Sequence, residues 1–386
     1  MHPHYKLARA NAKRKYEAGS EVTAQEKFEA TIGRNWRGHA IAAGFGRAAL
    51  YLLLRALDVR GARVLLPEFI CAQVIEAVRR AGAEPAFYGV TETLQVRAEE
   101  VERQLGDGAR AVVVAHYFGR TQRESARIAD VCKAQGVACI EDCSLVFGAA
   151  HGTLPVAAEL AFTSLTKSEW CYGGGVAIAR DAKLTEKMRL IRDAEFSNDD
   201  EFCERYGQLS RCDFEANHPR RSEEAARRGR ELQEQFAKSD ARWANANFFD
   251  AARSDARMSE HCAVRARQIL EHQRELRTRR GTILREILRR ASCDEAEDGS
   301  QRTSAGTRVL PGNGNCAFIT LVKNKMGAGE MVEMAAQQGV TLRAAWCDYQ
   351  SGVPQSHLRD RIAILEIHPE LGEAEIETVA KIVREV

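Results

Sequence analysis

Long apolar runs are missing from this 386-residue chain. None approaches the roughly 20 uninterrupted apolar residues that a membrane-crossing helix needs, so no membrane partner is expected. An excess of one charge is missing too. Lys+Arg 56 against Asp+Glu 54 leaves a formal charge of +2, which argues against a dedicated nucleic-acid binder. The opening MHPHYKLARANAKRKYEAG is basic but lacks the apolar core of a secretory leader, and reads as a solvated lead-in or an arm against a partner. The eleven cysteines contain no CxxC pair and no regular spacing. Cys132, Cys139 and Cys143 cluster without a histidine pair nearby, so they read as small core residues and no metal site is assigned. This cysteine usage fits a reduced, cytoplasmic protein. Internal repeats are absent. Lysine is scarce as well: only twelve of the 56 basic residues are lysine.

An apolar fraction of 45% is enough to core a large α/β domain and a smaller one. From residue 40 to about 180, short apolar runs alternate with amphipathic helical stretches. GRAALYLLLRAL, CAQVIEAVRRAG, AEEVERQL and SARIADVCKAQG read as helices; RVLLPEF, EPAFYGV, ARAVVVAHYFG and VACIEDCS read as strands. That alternation predicts a mainly parallel sheet covered on both faces, with ligands gathering at the carboxyl ends of the strands. A charged stretch at about 190–245 is expected to form exposed helices inserted in the large domain, possible subunit contacts; its arginines Arg220, Arg221, Arg227, Arg228 and Arg230 read as a solvated face. A long helix follows from residue 259 to 290. SCDEAEDGSQRTSAGTRVLPGNGN reads as a polar surface loop, and the remaining strands and helices as a small α/β unit. The expected division is an N-terminal arm with helices (1–39), a large domain (40–260), and a linking helix with a small C-terminal domain (261–386).

One of the few lysines lies in LAFTSLTKSEWCYGGGVAIA, where Lys167 connects two apolar strands. A buried ammonium must be paired, neutralised or covalently consumed, and arginine could not react in its place. Asp142 ends the strand VACIED, twenty-five residues earlier. AAGFGRAAL sets glycines directly before a helix, where free N–H groups and the helix dipole make a phosphate cradle. Ser164 adds a hydroxyl. An amine, a carboxylate and a phosphate cradle on one rim suit pyridoxal 5'-phosphate, whose aldehyde condenses with a lysine, whose ring nitrogen is held by a carboxylate, and whose phosphate takes amides and hydroxyls.

From about residue 25 onward the chain resembles the fold-type-I pyridoxal-phosphate enzymes, in particular the DegT/StrS family of sugar aminotransferases. GFGRAALYLLLRAL, RVLLPEFICAQVIEAVRRAGAEPAFYGV, RAVVVAHYFGR, ACIEDCSLVFGA, FTSLTKSEWCYGGGVAIA and ARMSEHCAVRARQIL occur in family order. The resemblance implies an α/β fold with a seven-stranded-type sheet. It also implies that Lys167 condenses with the cofactor and shuttles protons, and that Asp142 holds the ring nitrogen. Gly46, the Arg47 amide and Ser164 would bind the phosphate, and Ser144 would lie against the ring. His116 lines the same rim, in a structural or a catalytic role. A homodimer with the site at the subunit interface is implied too.

The chain departs from the family pattern in several places. Leu145 and Phe147 replace a glutamine and a histidine near the cofactor, and Cys71 stands where an aromatic often stacks. Asp255 replaces an asparagine that reaches the neighbouring subunit's phosphate. Phe162 replaces a serine, so Ser164 or Thr163 must substitute. The expected function is an aminotransferase moving an amino group from a donor such as glutamate to the keto group of a sugar-like, nucleotide-linked or other biosynthetic intermediate. Two alternatives remain: a pyridoxal-phosphate dehydratase, lyase or cyclising enzyme on a non-sugar metabolite, and a non-catalytic relative.

Overall fold

The structure is a computed structural model that describes residues 22–106, 108–146, 157–167, 173–197, 200–216, 223–244, 257–296, 300–304, 306–311, 318–322, 326–345, 356–368 and 370–385. Helix α1 (Ala24–Asn35) starts at a capping box in which Thr23 and Glu26 satisfy each other's backbone N–H groups. It leads into β1 (His39–Ala43) and α2 (Gly46–Ala56), whose apolar residues make it almost wholly buried. Then come β2 (Arg63–Pro67), α3 (Ala72–Arg80), β3 (Glu84–Tyr88), α4 (Ala98–Leu105), β4 (Ala109–Ala115), α5 (Ser125–Ala134) and β5 (Ala138–Asp142). Two further strands, β6 (Leu160–Ser164) and β7 (Gly175–Ala179), flank the Lys167 segment.

These seven strands form one sheet in the order β1-β7-β6-β5-β4-β2-β3. Strands β2 to β6 pair in parallel, whereas β7 runs antiparallel to both β6 and β1. The expected parallel sheet is therefore present with a reversed strand, because β7 starts at Gly175, too soon after Ser164 for the crossover that a parallel pair needs. Alternation along the strands divides the packing. Ala40, Ala42, Ala161, Val176 and Ile178 face Phe28 and Ile32 of α1, while Ile41, Ala43, Phe162, Ala177 and Ala179 belong with α2.

Helix α6 (Ala182–Glu195) follows, then α7 (Asp200–Ala216) and α8 (Glu223–Ser239). These last two were expected to be exposed. Instead α7 buries Phe202, Tyr206, Leu209 and Cys212, and α8 buries Phe236 against Trp243. Few apolar residues suffice here because they recur on one face of each helix. Of the arginine patch, Arg227 pairs with Glu231 at 2.6 Å, and Arg220 and Arg221 lie outside the described residues.

The 31-residue α9 (Glu260–Arg290) links to β8 (Asp294–Glu295), β9 (Gln301–Arg302), β10 (Arg308–Pro311), β11 (Phe318–Val322), α10 (Ala328–Gln337), β12 (Arg343–Ala344), β13 (Ile362–Glu366) and α11 (Glu373–Glu385). The strands make a second, six-stranded sheet in the order β12-β13-β11-β10-β9-β8. The segment read as a polar loop thus carries three strands; at two to four residues each, they are too short for an alternation signal. One face of this sheet (Val309, Ile319, Leu321, Ala363, Leu365) packs on the end of α9 and on α10 and α11. Leu310, Val322 and Ile362 of the other face join the core of the first sheet. Ion pairs line the seam, Arg361 with Glu92 at 3.1 Å, Arg343 with Asp213 at 3.6 Å and Arg308 with Glu92 at 3.8 Å, and His357 Nδ1 lies 3.4 Å from Glu68 Oε1.

Candidate active site

Asp142 and Ser164 end adjacent parallel strands. Their register pairs Asp142 with Phe162, so Asp142, Phe162 and Ser164 share one face of the sheet at its carboxyl edge. The start of α2 is pressed against that face. A Cβ on Gly46 would lie 2.9 Å from Ser164 Cβ, closer than packed carbons tolerate. Phe45 occupies the N-cap of α2 without a side-chain hydrogen bond, and the first turn holds no acid. The helix therefore brings its dipole and first-turn N–H groups to the rim with no internal anion to offset them. Gly173 and Gly174, with φ of 120° and 100°, turn the chain into β7. A Cβ on Gly175 would fall 2.2 Å from the Phe45 carbonyl carbon, so backbone packs directly on backbone.

Asp142 is buried, and desolvation raises its carboxyl to about 6. Hydrogen bonds from Ser144, whose backbone N–H donates to Oδ1 at 2.9 Å, and the charge of Lys167 oppose that shift. Lys167 itself is exposed. A three-residue turn after β6 carries it off the sheet end, so the burial expected from its flanks does not extend to it. Ser164 Oγ and Thr166 Oγ1 share a hydrogen bond of 3.0 Å. Thr163 faces the other way and gives its Oγ1 to the Cys143 carbonyl at 3.1 Å, which leaves Ser164 as the strand-end hydroxyl on this face. Thr166 escaped the sequence reading, although the spacing in TSLT could have revealed it. The Arg47 guanidinium donates to Gln73 Oε1 in the first turn of α3, whose N-cap is the half-buried Cys71. Leu145 is half-buried and its carbonyl accepts the Gly119 N–H at 2.8 Å. Phe147 and Asp255 lie outside the described residues.

His116 belongs to the opposite face. Its backbone N–H donates to the Asp142 carbonyl at 3.1 Å, while its fully buried ring accepts the Gln122 N–H at Nδ1, 3.0 Å away. That bond leaves the ring proton on Nε2, which lies 3.8 Å from Glu141 Oε1. Burial lowers His116 to about 4 and raises Glu141 to about 7, against hydrogen bonds from Ala157 and Ala158. Glu141 was not singled out from the sequence, although an acid inside an otherwise apolar strand was a visible signal.

Comparison with known proteins decides the family. The model of the DegT/DnrJ/EryC1/StrS aminotransferase family matches residues 6–216. The chain belongs to this family. Among its relatives, the Saccharopolyspora spinosa dTDP-4-dehydro-2,3,6-trideoxy-D-glucose 4-aminotransferase is 33% identical over 153 residues, 38% of this chain and 39% of that protein. The Vibrio cholerae GDP-perosamine synthase is 32% identical over 114 residues, 29% of this chain and 31% of the relative. The chain thus spans about a third of the length of these curated relatives. Solved structures extend the likeness of fold. The aminotransferase TlmJ from Streptoalloteichus hindustanus superposes with a TM-score of 0.68 at 19% identity, over 100% of this chain and 96% of that one. Helicobacter pylori PseC gives 0.66 at 14% identity over the same shares. The α/β architecture expected from the sequence is the fold of these aminotransferase structures.

In this DegT/StrS-family chain the inserted helices reach the rim. Phe45, one residue before Gly46, packs edge-on against Tyr206 of α7 with ring centroids 4.7 Å apart, and against Phe202 at 6.4 Å. The Arg47 guanidinium lies 6.0 Å from the Phe45 ring centroid. Helix α7 therefore walls the side of the rim where α2 begins.

Proposed function

We propose that the chain is a pyridoxal-phosphate-dependent aminotransferase that transfers an amino group from a donor such as glutamate to the keto group of a sugar-like, nucleotide-linked acceptor. The observation that carries this reading is the convergence of the uncapped α2 N-terminus, Ser164, Asp142 and Lys167 on one edge of the sheet. The fit to the cofactor rests on two features: a glycine cradle that a single Cβ would fill, and a buried carboxyl that a cationic ring would stabilise in its ionised form. The backbone N–H groups of Gly46 and Arg47 would hold the phosphate, with the Ser164 hydroxyl beside them. Asp142 would accept a hydrogen bond from the ring nitrogen, and Ser144 keeps its Oδ1 oriented. When bound, the cofactor supplies an aldehyde to carry the amino group and a ring that withdraws electrons. Lys167 would move protons at its Nζ, as base and then as acid. Exposure lets it reach both the cofactor and an incoming amine. A homodimer completing the site across its interface, and the division at residues 40 and 261, belong to the same reading.

The test is the visible absorption of the protein with pyridoxal phosphate. A band that disappears in Lys167→Ala and bleaches with glutamate supports amino-group transfer. A band that resists every amino donor tried moves the assignment to elimination or cyclisation. Absence of any band ends the cofactor reading.

A further inference from the structure

Among the described residues, the seam between the two sheets has one polarity in its charged contacts. Its acids, Glu68, Glu92 and Asp213, come from the first sheet and the inserted helices; its bases, His357, Arg308, Arg361 and Arg343, come from the second sheet and its loops. Three of these contacts lie at the β2 and β3 end of the sheet, away from Lys167. Arg343–Asp213 is the exception. Asp213 sits on α7, two turns beyond Tyr206 and on the same face, about 10 Å along the axis at 1.5 Å per residue. Tyr206 packs on Phe45 at the start of α2, and both Arg47 and Asp213 act electrostatically on its hydroxyl. A continuous line thus runs from the α2 N-terminus through Tyr206 and Asp213 to Arg343.

We propose that Arg343 receives an anionic group of the substrate, a carboxylate or a phosphate, and that Asp213 occupies it until that group displaces the aspartate. The proposal rests on the aminotransferase reading, because it needs the reacting end of the substrate at Lys167. Three observations support it. The pair is open, with side-chain exposures of 41% for Arg343 and 31% for Asp213. At 3.6 Å it is also loose, and a half-exposed pair of this kind is worth a factor of about 1.5 to 5 in an equilibrium. A substrate anion that makes a bidentate contact with the planar guanidinium displaces such a partner readily. Finally, among the described residues Arg343 sits on the edge strand β12, paired with β13 alone, and its half-exposed side chain is free to change rotamer toward the rim.

Both the carboxylate of an amino donor and the diphosphate of a nucleotide-linked acceptor have this chemistry. The experiment separates them by titrating the cofactor-loaded protein calorimetrically with 2-oxoglutarate and, separately, with thymidine diphosphate. Arg343→Gln weakens one probe at least tenfold, Arg343→Lys weakens the same probe less, and Asp213→Asn tightens it two- to fivefold. All three variants keep the visible band and the melting profile of the wild type. The probe that responds names the source. The proposal is overturned if neither probe binds the wild type, or if Arg343→Gln binds both within twofold of it. It is also overturned if Asp213→Asn leaves binding unchanged or weakens it, since Asp213 would then be a strut. Loss of the visible band in the wild type would instead refute the aminotransferase reading, and Arg343-dependent binding of thymidine diphosphate to the cofactor-free protein would survive it.

Discussion

Glu141 and His116 should impose opposite pH dependences on stability that cancel in the wild type. Burial raises Glu141 from 4.5 to about 7. A carboxyl raised on folding contributes its stability in full below pH 4.5 and loses it as pH rises toward 7, by about 3 kcal/mol at 1.36 kcal/mol per pH unit. Burial lowers His116 from 6.5 to about 4. A base depressed on folding contributes above pH 6.5 and loses that contribution as pH falls toward 4, again by about 3 kcal/mol. Together the two losses nearly offset each other across this range. Glu141→Gln removes one of them, so the stability difference between variant and wild type should shrink by about 3 kcal/mol from pH 7 to pH 4. His116→Gln should tilt the opposite way. Urea unfolding of the cofactor-free protein at several pH values reads this directly, because subtracting the wild type cancels every other titrating group. Profiles parallel to the wild type would refute the reasoning. Tilts of reversed sign would show that the pair is held as imidazolium and carboxylate.

Gly175→Ala should cost about 3 kcal/mol and abolish cofactor retention, because its Cβ meets backbone 2.2 Å away; thermal unfolding and the visible band report both. Gly329→Ala, whose Cβ meets nothing within 4 Å, is the control and should stabilise α10 by about 0.5–1 kcal/mol. Arg192 pairs with Glu29 at 2.5 Å with both side chains 8% exposed, so Arg192→Ala strands a buried carboxylate and should cost about 3–5 kcal/mol in denaturant unfolding. Asp142→Asn should separate stability from function. Its carboxyl is raised from 3.8 to about 6, so it costs the fold most above pH 6. The asparagine variant should therefore be about 3 kcal/mol more stable at pH 8 when cofactor-free, yet bind pyridoxal phosphate more weakly in a spectroscopic titration.

Much of the first sheet could be read from the chain because its strands and helices each repeat their own period over enough residues. VVVA in β4 and LYLLL in α2 leave little choice. Strands of two residues, such as Asp294–Glu295 and Gln301–Arg302, carry no such period, and although they pair with each other and with the nearby β10, nothing in so short a run announces that pairing. At the site, Asp142 and Ser164 were legible because a polar residue at the end of an apolar strand marks a rim. What the sequence left hidden were directions. The different fates of Ser164 and Thr163 follow from register alone. His116 shares the Glu141 face for the same reason, a fact invisible until strands β4 and β5 are aligned. Tyr206 was hidden among charges because a helix of mostly charged residues can still present one apolar face.

The pairing of His39 with Ala179 joins residues 140 positions apart, and Phe45 is bridged to Gly174 across a similar interval. During synthesis at about 5–20 residues per second, β1 has no strand to pair with for roughly 7–28 seconds after it emerges. The glycine-lined start of α2, the phosphate cradle of the proposed function, is closed by that same late strand. A nascent chain therefore cannot assemble that turn piecemeal, and on the proposed reading cofactor capture would report that the whole stretch from β1 to β7 has folded.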